Sequence, residues 1–324
     1  MQLMQHQSSK GLGLESEEPQ CLSTCEACAE SGERAEWMNG EDVLAKVLEY
    51  RDLPTLPEVV SKILAEVESE NSDVGRLTYF LESDPAISAR ILRVANSAFY
   101  GLEREVISVQ RAVVVLGFIT VRDLVLSTAV FDALSGKNQM ALDFEDFWLH
   151  SLGTARAAHL LSRKYCPSAL NEGCFTAGLL HDIGKYLLAL VLRERYAAIV
   201  RQAETSKCRL RDLEAERLGT THAEVGAKVA EEWKFPVLLT QVIGNLYEWK
   251  TYSGPCRSEV CVVALANEIS RLVRFGNAGD WNAPSLEPTL LGSIGLTEEL
   301  VDKVAEEVAD QRSEILQFFR LLKS

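Results

Sequence analysis

From Gly40 onward the apolar residues recur at the period of an α-helix. Val43, Leu44, Val47 and Leu48 share one face. Pro57 suits a first helical position, with Val59, Val60, Ile63, Leu64 and Val67 after it. Asp84 before Pro85 reads as an N-cap leading into Ile87, Ile91, Leu92 and Ala95. Thr120 and Asp123 have capping-box spacing ahead of Leu124, Val125, Thr128 and Phe131. The β-branched run VVVLGFITV (113–121) has helical flanks, so it reads as two buried helix ends around Gly117. No Asn-Gly or Asp-Gly turn sits between alternating segments. The prediction is an all-α chain.

Composition divides it. Residues 1–40 read as a disordered acidic tail, 41–136 as an N-terminal helical part and 137–275 as a second helical part, with Gly136–Gln139 between them. Residues 276–324 read as a loose stretch followed by one C-terminal helix over about 297–322. The tail holds Cys21, Cys25 and Cys28 at C-x3-C-x2-C spacing, which could hold zinc or an iron–sulfur cluster; incidental thiols are the other reading. The later cysteines read as small core residues. A net charge of −14 repels nucleic acid and anionic lipid, so neither nucleic acid nor a membrane is an expected partner. The longest near-apolar run is about half a bilayer span, and the first residues lack the basic start and apolar block of a signal peptide. A cytoplasmic protein is expected. No Walker-type or Rossmann-type glycine loop and no G-x-S-x-G is present.

The stretch AGLLHDIGKYLLAL (177–190) reads as one buried helix, yet His181 and Asp182 stand side by side within it. An imidazole and a carboxylate in an apolar helix need a partner or a task.

Together with DPAISARILRVANSAFYG (84–101), SVQRAVVVLGFITVRDLVL (108–126), FWLHSLGTA (147–155) and THAEVGAKVAEEWKFP (221–236), that stretch resembles the HDOD family over about 50–270. These are bacterial signalling proteins whose domain is an output-type relative of the metal-dependent HD phosphohydrolases. The resemblance implies an HD-like multi-helix bundle with an N-terminal helical subdomain. In active HD enzymes a His, a His-Asp pair and a later Asp hold a divalent metal that orients phosphate and activates water. Carried over, His150 matches the first ligand, and His181 and Asp182 match the pair. Lys185 matches a phosphate-facing position. His222 matches a further family histidine at a helix start, where the helix dipole favours neutral imidazole.

The pattern then departs. Asn267, in ALANEIS, stands at the expected Asp position, and an amide oxygen is a poorer ligand for a hard cation. Active cyclic-dinucleotide phosphodiesterases carry a histidine pair and a GYP signature. Here VIGNLYEWK has neither, and no histidine follows His222. The expected function is therefore a non-catalytic signalling module that acts through a regulatory or signalling protein and requires no cofactor. One alternative is a phosphohydrolase of nucleotides or cyclic dinucleotides, with a weak divalent metal on His150, His181 and Asp182. Another is a nucleotide sensor without hydrolysis, with Lys185, His222, Arg90 and Arg93 as ligand-binding residues. Arg90, Arg93, Arg104, Arg111 and Arg122 form an anion pocket or are solvated surface charges. His159 should point away from His150, and Asn96 should cap a turn.

Overall fold

The computed structural model describes residues 38–51, 57–67, 69, 71–97, 102, 104–135, 141–166 and 173–323, and among them it contains helices and no strand. The tail with Cys21, Cys25 and Cys28, and the stretch 136–140, lie outside the described residues. The first helices are α1 (Gly40–Leu48), α2 (Glu58–Val67), α3 (Val74–Glu82), α4 (Pro85–Ala95), α5 (Val109–Leu116) and α6 (Phe118–Leu134). Next come α7 (Phe144–Leu160), α8 (Cys174–Leu180), α9 (Ile183–Leu192), α10 (Glu194–Ser206), α11 (Leu210–Leu218), α12 (His222–Glu232), α13 (Val237–Asn245) and α14 (Arg257–Leu272). The last are α15 (Pro288–Ser293), α16 (Glu298–Asp310) and α17 (Arg312–Lys323).

Short polar side chains start many of them by accepting the first free backbone N–H groups. Asp84 does this for α4 through Ala86 and Ile87, as its sequence context predicts. Asp73, Ser108 and Asp143 do it for α3, α5 and α7. Thr120 and Asp123 do not form the expected box. The helix has already begun at Phe118, and Asp123 instead accepts two bonds from the Arg122 guanidinium at 2.8 and 2.9 Å, both residues being buried. Arg122 is thus no solvated charge. The run at 113–121 does break at Gly117, whose φ of 83° lets α5 and α6 turn through 115°. The α5 end is not buried, however: Val114 is 56% exposed. The Asn96 side chain bonds to Leu92 O and to both backbone groups of Val106, pinning the chain after α4.

The core is shared along the chain. α7 packs on α8 and α14, α12 packs on α9 and α13, and α1 reaches across to α9 and α12. The helix expected over 297–322 is two, α16 and α17, broken at Gln311. α16 lies on α14 and α7, and α17 touches α7, α4 and α6. Phe131 of α6 stacks edgewise or tilted on Trp148 and Phe319, with ring centroids 5.0 and 6.0 Å apart. Buried aromatics of this kind each contribute about 1.5–3 kcal/mol of burial, so α6, α7 and α17 are held by one apolar contact. Cys174–Leu192 is long and apolar enough to cross a membrane, but 89% of that window is buried inside the fold. Burial pushes the Cys166 and Cys174 thiols up to about 11 and about 12, as for inert core residues.

Candidate functional site

The helix predicted over 177–190 is interrupted at its polar pair. α8 ends at Leu180 and α9 begins at Ile183, so His181 and Asp182 occupy the junction. His181 Nδ1 lies 2.7 Å from the Gly178 carbonyl, which orients the ring. α7 brings His150 alongside, with the His150 and His181 rings 5.4 Å apart. α12 brings His222 as its first residue, inside the capping box formed by Thr221 and Glu224. That approach is very close: a Cβ on Gly184 would lie 1.8 Å from the His222 carbonyl oxygen.

These helices meet at the Asp182 carboxylate. Oδ2 is 2.7 Å from Lys185 Nζ, 3.2 Å from His181 Nε2 and 3.9 Å from His150 Nε2. Oδ1 accepts from the Tyr247 hydroxyl at 3.0 Å and lies 3.4 Å from His222 Nε2. Lys185 also bonds to Asp280. The Nδ1 of His222 is 2.6 Å from Glu214 Oε2, whose other oxygen accepts from Tyr196 at 2.5 Å. The His150, His181, Asp182, Lys185 and His222 side chains are buried.

Burial dominates the electrostatics, and the local charges decide where it wins. Burial, with His181 and Lys185 beside it, pushes His150 down to about 3 against the pull of Asp182 and Asp280. Burial works against charge on His222 too, but the Glu214 carboxylate outweighs it and raises the imidazole to about 9. His222 is therefore an imidazolium at neutral pH, not the neutral ring its helix-start position suggests. Against burial, His181 and Lys185 hold Asp182 well below the usual carboxylate range. Asp182 and Asp280 together raise Lys185 despite its burial.

The donor set suits a divalent ion in kind. His150, His181 and Asp182 place their donor atoms within 4.8 Å of one another. The Nε2 atoms of His150, His181 and His222 are buried and make no hydrogen bond, while His181 and His222 hold their other ring nitrogen on an outer acceptor, as metal-binding imidazoles do. His150, His181 and Asp182 would hold the ion, which when bound would polarise a phosphate oxygen and activate water. Asn267 Oδ1 is also buried without a hydrogen bond, one turn before Ser270, whose hydroxyl reaches the His150 carbonyl at 3.1 Å.

Two carboxylates of this cluster escape sequence reasoning. Glu214 lies in LRDLEAERL, which has the look of a solvated helix face. Asp280 lies in the stretch read as loose, yet that stretch is pinned: Asn277 N–H bonds to Asp146 O, Arg271 bonds to Asn282, and Ser285 N–H bonds to Glu268. Arg90 stands elsewhere. It pairs with Asp132 and lines a cavity of about 320 Å³ between α2, α4 and α6. Arg93 is exposed in the last turn of α4. His159 is half-buried against Phe175, away from the cluster, and burial with nearby cationic side chains pushes it down to about 4.

The two shifted site histidines predict a bell-shaped stability. His150 binds fewer protons folded than unfolded, so its contribution is present above 6.5 and is lost as pH falls towards about 3. His222 binds more protons folded, so its contribution is present below 6.5 and is lost as pH rises through about 9. Urea midpoints measured across this range should peak near pH 6.5. His222→Gln should flatten only the alkaline limb and His150→Gln should soften only the acid limb; unchanged limbs would refute the assignment.

The HDOD domain family model matches residues 53–248. Among solved structures, a candidate signal transduction protein from Marinobacter aquaeolei is 25% identical with a TM-score of 0.73, over 88% of this chain and 66% of that one. An HDOD domain protein of unknown function from Geobacter sulfurreducens is 25% identical with a TM-score of 0.69, over 85% and 98%. A candidate phosphohydrolase from Shewanella amazonensis is 30% identical with a TM-score of 0.65, over 86% and 97%. The chain spans less than half the length of the curated relatives it matches. With its all-helical fold and the His-Asp junction in place, the chain belongs to the HDOD domain family.

Proposed function

We propose that this chain is a non-hydrolysing signalling module, bacterial and cytoplasmic, that works by binding a regulatory protein. One observation carries the reading: the Asp182 carboxylate already holds a resident cation, the buried Lys185 ammonium, which Asp280 fixes from its other side. Lys185 and His222 stand as cations beside the carboxylates of Asp182, Asp280 and Glu214, so the protein's own charges offset much of the cluster's negative charge. Such a centre has structural value without a metal, and no step of hydrolysis follows from it. The net charge of −14 favours a partner with a basic docking face and disfavours nucleic acid and anionic membranes.

A second reading is favoured by the converging donors of His150, His181 and Asp182: a metal-dependent phosphohydrolase of nucleotides or cyclic dinucleotides. A panel of these compounds incubated with the protein and Mn²⁺ or Mg²⁺ separates the two. The expected result is product formation no faster than with Asp182→Ala. Turnover by the unaltered protein that Asp182→Ala abolishes would replace the first reading with the second.

A further inference from the structure

The cavity between α2, α4 and α6 is flanked by charges of both signs, Asp84, Asp132 and Arg90, and Arg90 is already paired with Asp132. The exposed Tyr79, Ile107 and Val114 have nothing that says what covers them. In the centre already described, the Lys185 ammonium, held from its other side by Asp280, occupies the Asp182 oxygen on which an ion would sit.

Asp182 Oδ2 is the carboxylate oxygen nearest both His181 Nε2 and His150 Nε2. It is also the oxygen that Lys185 Nζ holds at 2.7 Å. A divalent ion bonded to Oδ2 at about 2.1 Å would lie within about 5 Å of the ammonium wherever it sat. Two positive groups at that distance repel strongly where water is excluded. Lys185 cannot withdraw to solvent, since its side chain is fully buried. Among the described residues its other anionic partner is the carboxylate of Asp280, in the pinned segment between α14 and α15.

We propose that Lys185 is the resident counter-ion of the HD-like centre and competes with a divalent metal for Asp182, Asp280 being the second seat that keeps the ammonium bound when a metal enters. This deepens the reading of a non-hydrolysing centre and rests on it: the site is tuned against metal by its own side chain, and the missing carboxylate at Asn267 is not the whole reason. Asp280 is a positioning residue, acting on the metal site through Lys185.

The test is calorimetric titration of Mn²⁺ alone into the full-length protein and into Lys185→Met, Asp280→Asn and the double variant, with free Mn²⁺ counted by electron paramagnetic resonance. Lys185→Met removes the competitor and keeps both anions, so it should bind Mn²⁺ at least about tenfold more tightly than the unaltered protein. Asp280→Asn removes an anion and the second seat, so it should bind more weakly. The double variant should bind more tightly than Asp280→Asn. If Lys185→Met does not fold, the comparison of the double variant with Asp280→Asn decides. The proposal is overturned if Lys185→Met binds no more tightly than the unaltered protein, if the double variant binds no more tightly than Asp280→Asn, or if none of the four takes up Mn²⁺. Hydrolysis by the unaltered protein would sink the functional reading and leave these ratios standing; equal affinities would sink the competition and leave the functional reading intact.

Discussion

Lys185→Met is expected to lower the unfolding free energy by about 3–5 kcal/mol at neutral pH, the cost of removing one member of a buried ionic cluster. Methionine fills nearly the volume of the lysine stem, so a cavity is not the cause. The loss comes from Asp182 and Asp280, which share the ammonium in the native protein and would face each other without it. Asp280→Asn on top should recover part of the loss, because the pair then carries one charge fewer, and the coupling between the two substitutions should fall at about 0.5–3 kcal/mol. The pH dependence has a definite sign. In the native protein both aspartates are held low, so their contribution is present above the unfolded carboxylate value of 3.8 and is lost only as pH falls below it. In the variant Asp280 loses the main charge that lowers it and Asp182 loses one of two, His181 remaining, so acid relieves their repulsion, and the gap to the native protein narrows as pH drops. Urea melts at neutral and acid pH measure this. A variant as stable as the native protein at neutral pH would mean that the ammonium balances nothing.

The helices were legible because their chemistry is local. Asp84, placed before Pro85 and an apolar period, needs no distant partner to cap α4. Gly117 breaks the run at 113–121 for a reason contained in its own φ. The family blocks likewise point to His150, His181, Asp182, Lys185 and His222, and the fold brings the other four to the buried Asp182 carboxylate from α7, the α8–α9 junction, α9 and α12. What could not be read is where the charges balance. Counting anionic donors along the sequence stops at Asn267 and finds one missing. The fold supplies two others, Glu214 from a polar helix and Asp280 from a stretch without period, and neither position carries a local mark of burial. The protonation of His222 was illegible for the same reason: a helix start argues for neutral imidazole, and only the packed structure shows the Glu214 carboxylate that reverses it.

Within HDIGK, the glycine is the residue whose replacement should disturb this balance while removing no charge. Gly184→Ala puts a methyl group where the His222 carbonyl oxygen lies 1.8 Å away, with the Gly226 nitrogen at 2.9 Å. Both are backbone atoms of α12, so no side chain can swing aside, and α9 must draw back from α12. The expected cost is about 3 kcal/mol, at the upper end of overpacking because the obstacle is rigid. Drawing back also separates Asp182, next to the start of α9, from His222 at the start of α12, and loosens the chain that runs from Glu214 through His222 to Asp182. The His222 resonance should then titrate below the value of about 9 that the intact cluster gives it. Gly292 of α15 is the control: a Cβ there meets nothing within 4 Å, so Gly292→Ala should be neutral or stabilise by about 0.5–1 kcal/mol through the helix preference for alanine. If Gly184→Ala melts within about 0.5 kcal/mol of the native protein and His222 keeps its titration, the close crossing of α9 and α12 is not what holds the imidazolium against Asp182. If both shift, the glycine between Ile183 and Lys185 is a spacing requirement of the charge cluster, set by how closely two helix backbones must pass for a histidine and an aspartate on different helices to meet.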